Sequence, residues 1–578
     1  MFRILGSHTC RMAAVAVLPL FLAGFGPALA QTSWVPTATQ GVGTMLVSAT
    51  NQGPLPSSTP LQISVVLGIQ NKSALKQLVQ NENTSSSSLY GTTITPTQFL
   101  ATYAPTSAQV QAVVRYLTSQ GFTNVQTEPN NLFVTAGGTA AQASAAFDTS
   151  INQFTQNGLT VYANMTTAQV PSSLSGIALA VLGLNNASRM QIVPQSQICV
   201  AGAPCAGGLP ICAPGTLAGT PCVGQFFTPQ GFQQAYDVRN TPTGSGTNIA
   251  IIAEGNLSGV ITDLRYAEAQ NNLPQVPVKI VQVGLASPDV SGVDEWDLDS
   301  QMSTGMAETV KTLYFYDTTS LTDSDLALAF NRFAAQDVAK AGSASLGECE
   351  LFPYVDGSML ADDEVFLEAA AQGQTMFASS GDTGASCAVA GTNGVPDSGP
   401  PMVNYPASSP YVVAVGGTDL FVNSDGSYNR ETAWEAGGGG ISQFEYSPYW
   451  QAIAVPSNAA GDKGIPDIAM DAGLETGALV YVNKVENIIG GTSVSSPLSL
   501  GVWARLESAR NNKLGFASPN LYSLATGVLQ AVPGFHDITV GCNGAYCATP
   551  GWDFTTGLGT FDVWDINQLL LPTPNGGK

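Results

Sequence analysis

Three short stretches carry side chains whose types and spacing could perform hydrolytic chemistry. The first, Gly490-Gly-Thr-Ser-Val-Ser-Ser-Pro497, follows a strand-like run and opens a helical one. Paired glycines let the backbone turn tightly, and a serine at a helix N-terminus faces free N–H groups that favour developing negative charge. Pro497 suits a first helical turn, whose N–H groups have no intrahelical partner. Ser493 is therefore a candidate nucleophile, with plain helix capping by Thr492 or Ser493 as the alternative.

The other two stretches supply acids that could activate such a serine. Glu295 and Asp299 are four residues apart, so they would share one face of a helix. Asp382 stands in a glycine-flanked turn after an apolar run, where α/β sheets place their ligands. Taken alone, the acidic pair is more typical of a solvated helix face, and the aspartate of a structural turn.

Two other hydrolase classes fit less well. His536 could serve as the base of an α/β-hydrolase, but the serine motif is not the G-x-S-x-G elbow of those enzymes. Asp382-Thr-Gly384 resembles an aspartic-protease motif, yet its partner Asp397-Ser-Gly399 lies in the same loop region. Pepsin-like enzymes bring their two aspartates from separate lobes. Because His8 lies in a segment expected to be removed, carboxylates are the main bases available.

Composition excludes several further classes. The 578 residues include 19 Lys+Arg and 41 Asp+Glu, a formal net charge of −22, which argues against nucleic-acid binding. Two histidines are too few for multi-histidine zinc sites or for iron sites that need two imidazoles.

Without Cys10, the cysteines form three local groups: Cys199, Cys205, Cys212 and Cys222; Cys349 and Cys387; and Cys542 and Cys547. Disulfides are expected in an exported protein, with metal ligation by the first group as the alternative.

The chain divides into five segments. Residues 1–30 are predicted to be a signal peptide, with Arg3 and Arg11, an apolar run from Met12 to Phe25, and the cleavage signal Ala28-Leu-Ala30. Later stretches lack the about 20 consecutive apolar residues that span a bilayer, so a secreted protein without membrane contact is expected, with the periplasm as the alternative compartment. Residues 31–58 are predicted to be a flexible arm. A Cys/Pro/Gly-rich linker with a maturation site is predicted at 190–226.

The two remaining segments are predicted to be folded domains. Residues 59–189 suggest a small α+β unit, with helices at Ser107–Gly121 and Thr139–Phe154 and a strand at Asn131–Ala136. Residues 227–578 alternate apolar strands with helices, as at Asn248–Ala253, Tyr411–Gly416, Ser324–Ala341 and Ala361–Gln372. Such strands indicate a parallel sheet covered by helices on both faces.

The catalytic stretches, together with several other motifs in order, resemble the sedolisins, the kumamolisin-like family of serine-carboxyl peptidases. The resemblance extends from about Leu61 to Phe561. The motifs similar to the family's activation prodomain are Tyr90–Phe99, Tyr103–Thr106 and Val181–Asn185. Those similar to its catalytic domain are Asn404–Pro410, Val415–Thr418, Ile465–Asp467 and Gly551–Asp553. The resemblance implies an α/β fold, namely a subtilisin-like parallel sheet preceded by a small α+β (ferredoxin-like) prodomain.

The resemblance also assigns roles. It implies Ser493 as nucleophile, Glu295 as general base, Asp299 as the acid that orients it, and Asp382 as the oxyanion-hole donor. A neutral Asp382 can donate a hydrogen bond to an oxyanion, whereas an ionised one would repel it. Because crowded carboxyls cannot all ionise cheaply, at least one pKa should rise. The expected protein is a secreted, acid-acting endopeptidase made as an autoactivating zymogen.

Further implications concern ligands and partners. The loop residues similar to the family's Ca²⁺ site are Asp537, Ile538, Thr549, Gly551 and Asp553, with Thr549 where the family usually has glycine. One structural Ca²⁺ is therefore expected. Expected partners are protein or peptide substrates and the chain's own prodomain, acting as intramolecular inhibitor and chaperone on a monomer.

Two positions depart from the family pattern near the acids. Leu346 stands where kumamolisin-like members carry tryptophan, and Glu254 lies one position later than the usual acid. An altered outer proton relay is therefore expected. A catalytically silent secreted binding protein on the same fold is the alternative function, although such a protein would need none of the four catalytic residues.

Overall fold

The computed structural model describes residues 33–156, 158–192, 195–198, 226–387, 399–455, 461–525 and 530–570, with the backbone alone for 195–198. The predicted signal peptide at 1–30, most of the linker at 190–226, and its cysteines Cys199, Cys205, Cys212 and Cys222 lie outside the described residues.

The strands of the N-terminal half and the linker are β1 (Trp34–Pro36), β2 (Thr50–Pro54), β3 (Pro60–Leu67), β4 (Thr123–Thr127), β5 (Phe133–Thr139), β6 (Ile151–Gln156), β7 (Leu159–Asn164), β8 (Gln169–Pro171), β9 (Ala178–Leu182) and β10 (Gln195–Ile198). The helices of this part are α1 (Lys72–Glu82), α2 (Pro96–Thr102), α3 (Ser107–Ser119) and α4 (Ala140–Ala146).

The strands that follow are β11 (Gly244–Glu254), β12 (Val278–Gln282), β13 (Val310–Thr318), β14 (Ala341–Ala344), β15 (Glu348–Cys349), β16 (Thr375–Ser379), β17 (Asn404–Tyr405), β18 (Val412–Val422), β19 (Tyr428–Ala433), β20 (Gly440–Tyr446), β21 (Asp462–Ile465), β22 (Ile468–Asp471), β23 (Ala478–Val482), β24 (Val485–Gly490), β25 (Phe535–His536) and β26 (Thr560–Phe561). The accompanying helices are α5 (Pro229–Ala235), α6 (Ser258–Gln270), α7 (Val293–Met306), α8 (Asp323–Gln336), α9 (Leu351–Asp356), α10 (Ser358–Ala371), α11 (Tyr449–Ala454), α12 (Thr492–Ala509), α13 (Ala517–Tyr522) and α14 (Val563–Leu569).

The N-terminal unit is built on an antiparallel sheet in the order β4-β5-β3-β9. Helices α1 to α3 connect its first two strands in the chain and α4 follows its third, which is the ferredoxin-like order. Helix α3 begins at a capping box between Thr106 and Gln109 and buries Val110, Val113 and Leu117 against the sheet. The predicted α+β unit, its helix near 107–121 and its strand near 131–136 are confirmed.

Two predictions in this unit are wrong. The predicted helix Thr139–Phe154 ends at Ala146, because the chain turns through Asp148 in the left-handed region (φ 45°) and continues as strand β6. The segment predicted to be a flexible arm at 31–58 is ordered instead from residue 33: β1 pairs with β8 and β2 with β6. The polar composition of this segment does not predict its strands, since main-chain hydrogen bonds rather than apolar side chains supply most of the pairing.

The C-terminal unit is organised around a sheet in the order β12-β13-β11-β14-β16-β18-β19, with β22 paired to β18. All its pairings are parallel except that of β19 with β18. Helices α7 and α12 pack together on one face, and α8 and α10 pack together on the other. The predicted parallel sheet with helices on both faces is confirmed. The helix predicted at Ser324–Ala341 ends earlier, since Asp337 is left-handed (φ 45°) and Ala341 begins β14.

Close contact between α7 and α12 depends on one glycine. A Cβ added at Gly501 of α12 would lie 2.6 Å from the Ser303 carbonyl oxygen of α7 and 2.7 Å from the Met306 Cβ. No side chain fits there, so the glycine lets the two helix backbones approach closely. This approach brings the residues near the start of both helices together.

Two pairs of cysteines are joined in the described residues, Cys349 to Cys387 and Cys542 to Cys547. Both pairs come from groups expected to form disulfides. The first ties β15 to the loop that follows β16. None of the described helices is both long and apolar enough to traverse a bilayer.

Candidate active site

The predicted acidic pair lies on α7, one helical turn apart. Glu295 and Asp299 are both 0% exposed, so the solvated helix face considered as an alternative is excluded. Glu295 lies in the first turn, where the helix dipole favours a negative charge. The Ser345 hydroxyl donates to Asp299 Oδ1 at 2.6 Å. Both Glu295 oxygens and Asp299 Oδ2 have no hydrogen-bond partner among the described residues.

Ser493 lies at the start of α12, directly after the strand-to-helix turn at Gly491. Its hydroxyl lies close enough to the Glu295 carboxyl to lower the pKa of that group, but not in hydrogen-bond geometry. Pro497 lies past the first helical turn, contrary to the sequence interpretation. Its missing N–H therefore leaves the Ser493 carbonyl without its usual helical donor. The Ser345 hydroxyl approaches this carbonyl at 3.4 Å, so Ser345 contacts both the acid pair and the serine segment.

Asp382 lies beside the same turn, on the loop after β16. The Thr492 main-chain N–H and hydroxyl both donate to Asp382 Oδ1, at 2.8 and 2.7 Å. Its other oxygen points toward Gly491, where an added Cβ would lie 2.5 Å from Oδ2. Gly491 also has a φ of +117°, which disfavours any side chain. The absence of a side chain at Gly491 thus leaves the room that the Asp382 carboxyl needs beside the start of α12.

Burial dominates the electrostatics of these carboxyls. It raises the pKa of Glu295 well above its usual range, and the nearby charges of Asp299 and Asp382 raise it further. Burial also raises the pKa of Asp299, while the hydrogen bond from Ser345 lowers it. Burial raises the pKa of Asp382 to about 6, against the lowering effect of the two Thr492 donors. At acidic pH Asp382 is therefore neutral and able to donate a proton.

The four predicted catalytic residues are thus brought together, but His536 is not. Its ring stacks on Tyr428 with 3.5 Å between centroids, on the short β25–β26 sheet. Burial lowers the pKa of His536 to about 4. Among the described residues His536 has no contact with Ser493, so His536 is excluded as the base and the α/β-hydrolase alternative, which depends on it, is wrong.

A segment of the chain itself runs along this site. Gln191 pairs with Gly347, with N–H to carbonyl distances of 2.8 and 3.2 Å in the two directions. Further on, β10 pairs antiparallel with β24, with Gln195 opposite Gly490. Gly347 lies two residues after Ser345, and Gly490 lies three residues before Ser493. Described parts of the chain after the N-terminal unit therefore lie on both sides of the candidate site.

Comparison with known proteins decides the family. The chain is 38% identical to "Sedolisin" of Pseudomonas sp. (strain 101) over 586 residues, covering 96% of both chains. The chain belongs to the sedolisin family. It is also 34% identical to "Xanthomonalisin" of Xanthomonas sp. (strain T-22), covering 90% of this chain and 67% of that one. The predicted membership of the sedolisin family is confirmed, and the protein is a serine-carboxyl peptidase.

Family models and a solved structure agree with this membership. A model described as "Pro-kumamolisin, activation domain" matches residues 48–187, and one described as "Subtilase family" matches residues 286–528. The chain is similar to a structure of Pseudomonas sedolisin complexed with two molecules of pseudo-iodotyrostatin, with a TM-score of 0.56 and 38% identity. That likeness covers 60% of this chain and 98% of the other. This sedolisin-family chain therefore carries an activation prodomain before a subtilisin-like peptidase domain.

Of the two departures from the family pattern, Leu346 lies next to a residue of the site. Leu346 is buried (1% exposed) next to Ser345. Glu254 is also buried, and burial together with the charges of Asp289 and Asp317 raises its pKa to about 7. No hydrogen bond joins Glu254 to Glu295 within the part of the chain that the structure describes.

The predicted calcium loop brings its two carboxylates together. The Gly551 N–H donates to Asp537 Oδ1, and the Thr549 N–H donates to Asp553 Oδ2, both at 2.9 Å. Burial raises the pKa of Asp537, the hydrogen bond from the Gly551 N–H lowers it, and the charge of Asp553 raises it again. Across the described ranges, no group of three or more Asp, Glu, His or Cys side chains is arranged to hold a metal. A cation here would depend on two carboxylates and main-chain carbonyls, including that of Ile538, which fits Ca²⁺.

The sequence alone does not predict the roles of two residues that the structure places at the site. Ser345 and Thr492 supply the hydroxyl donors to Asp299 and Asp382. Thr492 was considered only as a helix cap. Ser345 had no local signal, because its role depends on strand β14 ending opposite α7. The one indication in the sequence is that Ser345 directly precedes Leu346, which departs from the family pattern near the acids.

Ser345→Ala should shift the pH profile of the peptidase. Loss of the donor to Asp299 removes the interaction that lowers its pKa, so Asp299 should hold its proton to higher pH. The acidic limb of kcat/KM should then move upward by about 1 pH unit, since a hydrogen bond to a charged group contributes about 1.5–3 kcal/mol and part of that is retained by water.

The matched control for this prediction is Ser343→Ala. Ser343 is also buried, on the strand β14 that leads to Ser345, but bonds to the Ser496 hydroxyl and not to a carboxyl. Its pH profile should stay in place. An unshifted acidic limb in Ser345→Ala, with normal folding by circular dichroism, would contradict the assigned interaction.

Proposed function

We propose that this protein is a secreted, acid-acting endopeptidase made as an autoactivating zymogen. In this proposal Ser493 is the nucleophile, Glu295 the general base, Asp299 the acid that orients it, and Asp382 the oxyanion-hole donor. The observation that carries the proposal is the burial of Glu295 and Asp299 beside Ser493, with both Glu295 oxygens free of other described partners. Buried carboxyls without ion pairs are costly, which fits a functional role.

The proposed mechanism uses these four groups in turn. The Ser493 oxygen bonds to the carbonyl carbon of the substrate while its proton passes to an ionised Glu295 carboxylate. Neutral Asp382 donates a hydrogen bond to the oxyanion that forms. Glu295 then returns the proton to the leaving amine, and water hydrolyses the acyl-enzyme by the same route. Asp299 holds Glu295 in place and shares its charge.

The zymogen part of the proposal is supported by the interface between the two units. Lys72 of α1 pairs with Glu364 of α10, and the Ile69 N–H donates to the same carboxylate at 2.8 Å. Arg332 of α8 pairs with Glu128. The pairings of Gln191 with Gly347 and of β10 with β24 lie beside Ser345 and Ser493, which supports intramolecular inhibition by the tail of the prodomain before cleavage. Maturation by cleavage within residues 190–226 would release them.

We also propose one structural Ca²⁺ held by Asp537, Asp553 and the main-chain carbonyls of Ile538, Thr549 and Gly551. A bound cation would neutralise two facing carboxylates in a loop that has no basic partner among the described residues. The ion supplies charge and cross-linking to this loop, which lies beside the β25–β26 sheet, and takes no part in the hydrolysis.

Ser493→Ala should abolish self-processing and peptidase activity. The precursor of the unchanged protein, held at about pH 4, should shorten to a new N-terminus between Gln191 and Phe227 and then hydrolyse casein. Ser493→Ala should lower turnover by more than about 10⁴-fold. Ser499→Ala is the control, because its buried hydroxyl donates only to the Ser495 carbonyl of its own helix. Full casein turnover by Ser493→Ala, or no activity in the unchanged protein, would overturn the proposal, the latter favouring a silent binding protein.

Activity should fall as pH rises through about 6. Burial raises the pKa of Asp382 to about 6, so the neutral donor dominates below that pH and is lost above it. Asp382→Asn keeps a neutral donor at every pH and should remove or raise the alkaline limb of kcat/KM. Asp382→Ala should lower kcat by about 10²–10³-fold at all pH values. The measurement is the pH profile of mature enzyme, and identical alkaline limbs in Asp382→Asn and the unchanged protein would contradict the role.

Removal of calcium should lower the thermal stability. At a Ca²⁺ concentration about 100 times its Kd, binding contributes about 2.7 kcal/mol, so chelation should lower the Tm by about 5–10 °C. Asp537→Asn should remove this dependence on Ca²⁺. Asp425→Asn, which changes a fully exposed turn carboxylate, should keep it. A Tm of the unchanged protein that is the same with Ca²⁺ and with chelator would rule out the site.

A further inference from the structure

The boundary between the prodomain and the peptidase domain buries a carboxyl that has no partner. Glu82 is the last residue of α1 and is 4% exposed, and neither of its carboxyl oxygens has a hydrogen-bond partner among the described residues. Ala370 of α10 and the peptidase residues Leu514 and Phe516 line the same small cavity. The carbonyl groups at the end of a helix disfavour a further negative charge. Burial raises the pKa of Glu82 to about 9, so this side chain is neutral while the two domains are in contact.

A second group of carboxyls is buried where the end of the prodomain meets the peptidase domain. Its members come from four different elements of the peptidase domain: Asp323 of α8, Glu348 of β15, Asp356 of α9 and Asp362 of α10. None of them forms an ion pair within the described ranges. Neither carboxyl oxygen of Asp362 has a hydrogen-bond partner there. Four acids without a cation cannot all be ionised cheaply in a dry interior.

Ser188 shows that at least one of these acids carries a proton. This prodomain residue lies two positions before the predicted linker, and its Oγ is 2.8 Å from Asp323 Oδ2 and 3.1 Å from Glu348 Oε1. A hydroxyl has one proton, so it can donate to only one of the two carboxyls. The other contact is a hydrogen bond only if that carboxyl is neutral and donates to Oγ. The prodomain also supplies the Asn185 amide, which donates to Asp356 Oδ2 at 3.3 Å.

The surroundings of this group raise its pKa values. Burial is the largest cause for all four acids, and each acid also faces the charge of another member or, for Asp362, of Asp363 as well. Burial raises the pKa of Glu348 to about 7, although Asp323, the Ser188 hydroxyl and the Arg189 main-chain N–H lower it. Removal of the prodomain would take Ser188 and Asn185 away and let water reach the acids, so their pKa values would fall.

Two ion pairs at the same boundary have the opposite dependence on pH. Lys72 of the prodomain pairs with Glu364, and Glu128 of the prodomain pairs with Arg332. These pairs need ionised carboxylates, so strong acid weakens them. Their basic side chains are partly exposed, 30% for Lys72 and 26% for Arg332, and pairs of that kind contribute little. The unpaired carboxyls therefore dominate between moderate acid and neutrality.

We propose that neutral carboxyls close this boundary, so that a prodomain cut at the linker stays bound in moderate acid and separates as the pH approaches neutrality. An acid whose pKa is higher in the contact takes up a proton when the domains join. Binding is then strongest below about pH 5, near the ordinary carboxyl range, and weakens as the pH rises through about 7. Cutting the linker makes release possible, and in acid the bound prodomain leaves only as it is digested. This device is independent of the roles proposed for the four catalytic residues.

The affinity of a cut but undigested prodomain tests the proposal. Ser493→Ala prevents digestion, and a recognition site for a sequence-specific protease, inserted between Cys222 and Phe227, leaves the linker cysteines on the prodomain side. Sedimentation velocity on a dilution series, at fixed Ca²⁺, gives the Kd over the pH range in which the uncut chain keeps its near-UV circular dichroism. The Kd should rise by about tenfold or more from pH 5 to pH 8, since each proton taken up contributes up to about tenfold per pH unit. A Kd that stays constant or falls over this range overturns the proposal.

Two isosteric substitutions locate the protons. Glu82→Gln and Glu348→Gln keep a neutral side chain at every pH, so each should lower the Kd at pH 8 by about threefold or more and leave it within about twofold at pH 5. Glu128→Gln is the matched control, because this boundary carboxyl has a basic partner. It should raise the Kd by similar factors at pH 5 and at pH 8. If both isosteric variants keep the full pH dependence, the assignment to these carboxyls is wrong.

The results distinguish this device from the proposed function. A Kd that rises with pH, in a protein whose unchanged form hydrolyses no casein, would support the device and contradict the proposed function. A Kd independent of pH, beside full acid peptidase activity, would do the reverse. The measurement with an unchanged boundary needs no substitution at the interface, so it does not depend on how the Glu82 and Glu348 variants fold.

Discussion

The close packing of α7 against α12 is the constraint on which the site depends. Gly501 leaves no side chain between the two helix backbones, so the acids of one helix and the serine of the other can meet in a dry interior. A larger residue would push the helices apart by about the width of a methyl group. At that separation Ser493 would lose the carboxyl that lies opposite it. The turn at Gly491 places Ser493 at the start of α12, where this contact brings it beside the acids.

Burial has a second consequence, which is chemical. Carboxyls that would ionise readily in water keep their protons inside this protein, since the interior solvates charge poorly. Ser345 and Thr492 offset part of that cost by donating to Asp299 and Asp382.

Helix α7 connects two parts of the molecule. It carries Glu295 and Asp299 beside Ser493, and its Gln301 is hydrogen-bonded to Tyr481 of the β23–β24 hairpin. Any shift of α7 would therefore move the acids and this hairpin together.

The sequence by itself determined the chemistry that was available: a serine at a helix start, acids one turn apart, a turn aspartate, and too few histidines for the usual base. It also determined the parallel sheet, because strands that are buried on both faces have runs of apolar residues that can be recognised in the sequence. Polar strands such as β1 and β2 have no such runs. The tertiary structure alone decided which polar residues meet. Ser345, Gln301 and the ordered segment from residue 33 act through hydrogen bonds to residues distant in the chain, and such bonds depend on backbone positions that no local pattern encodes.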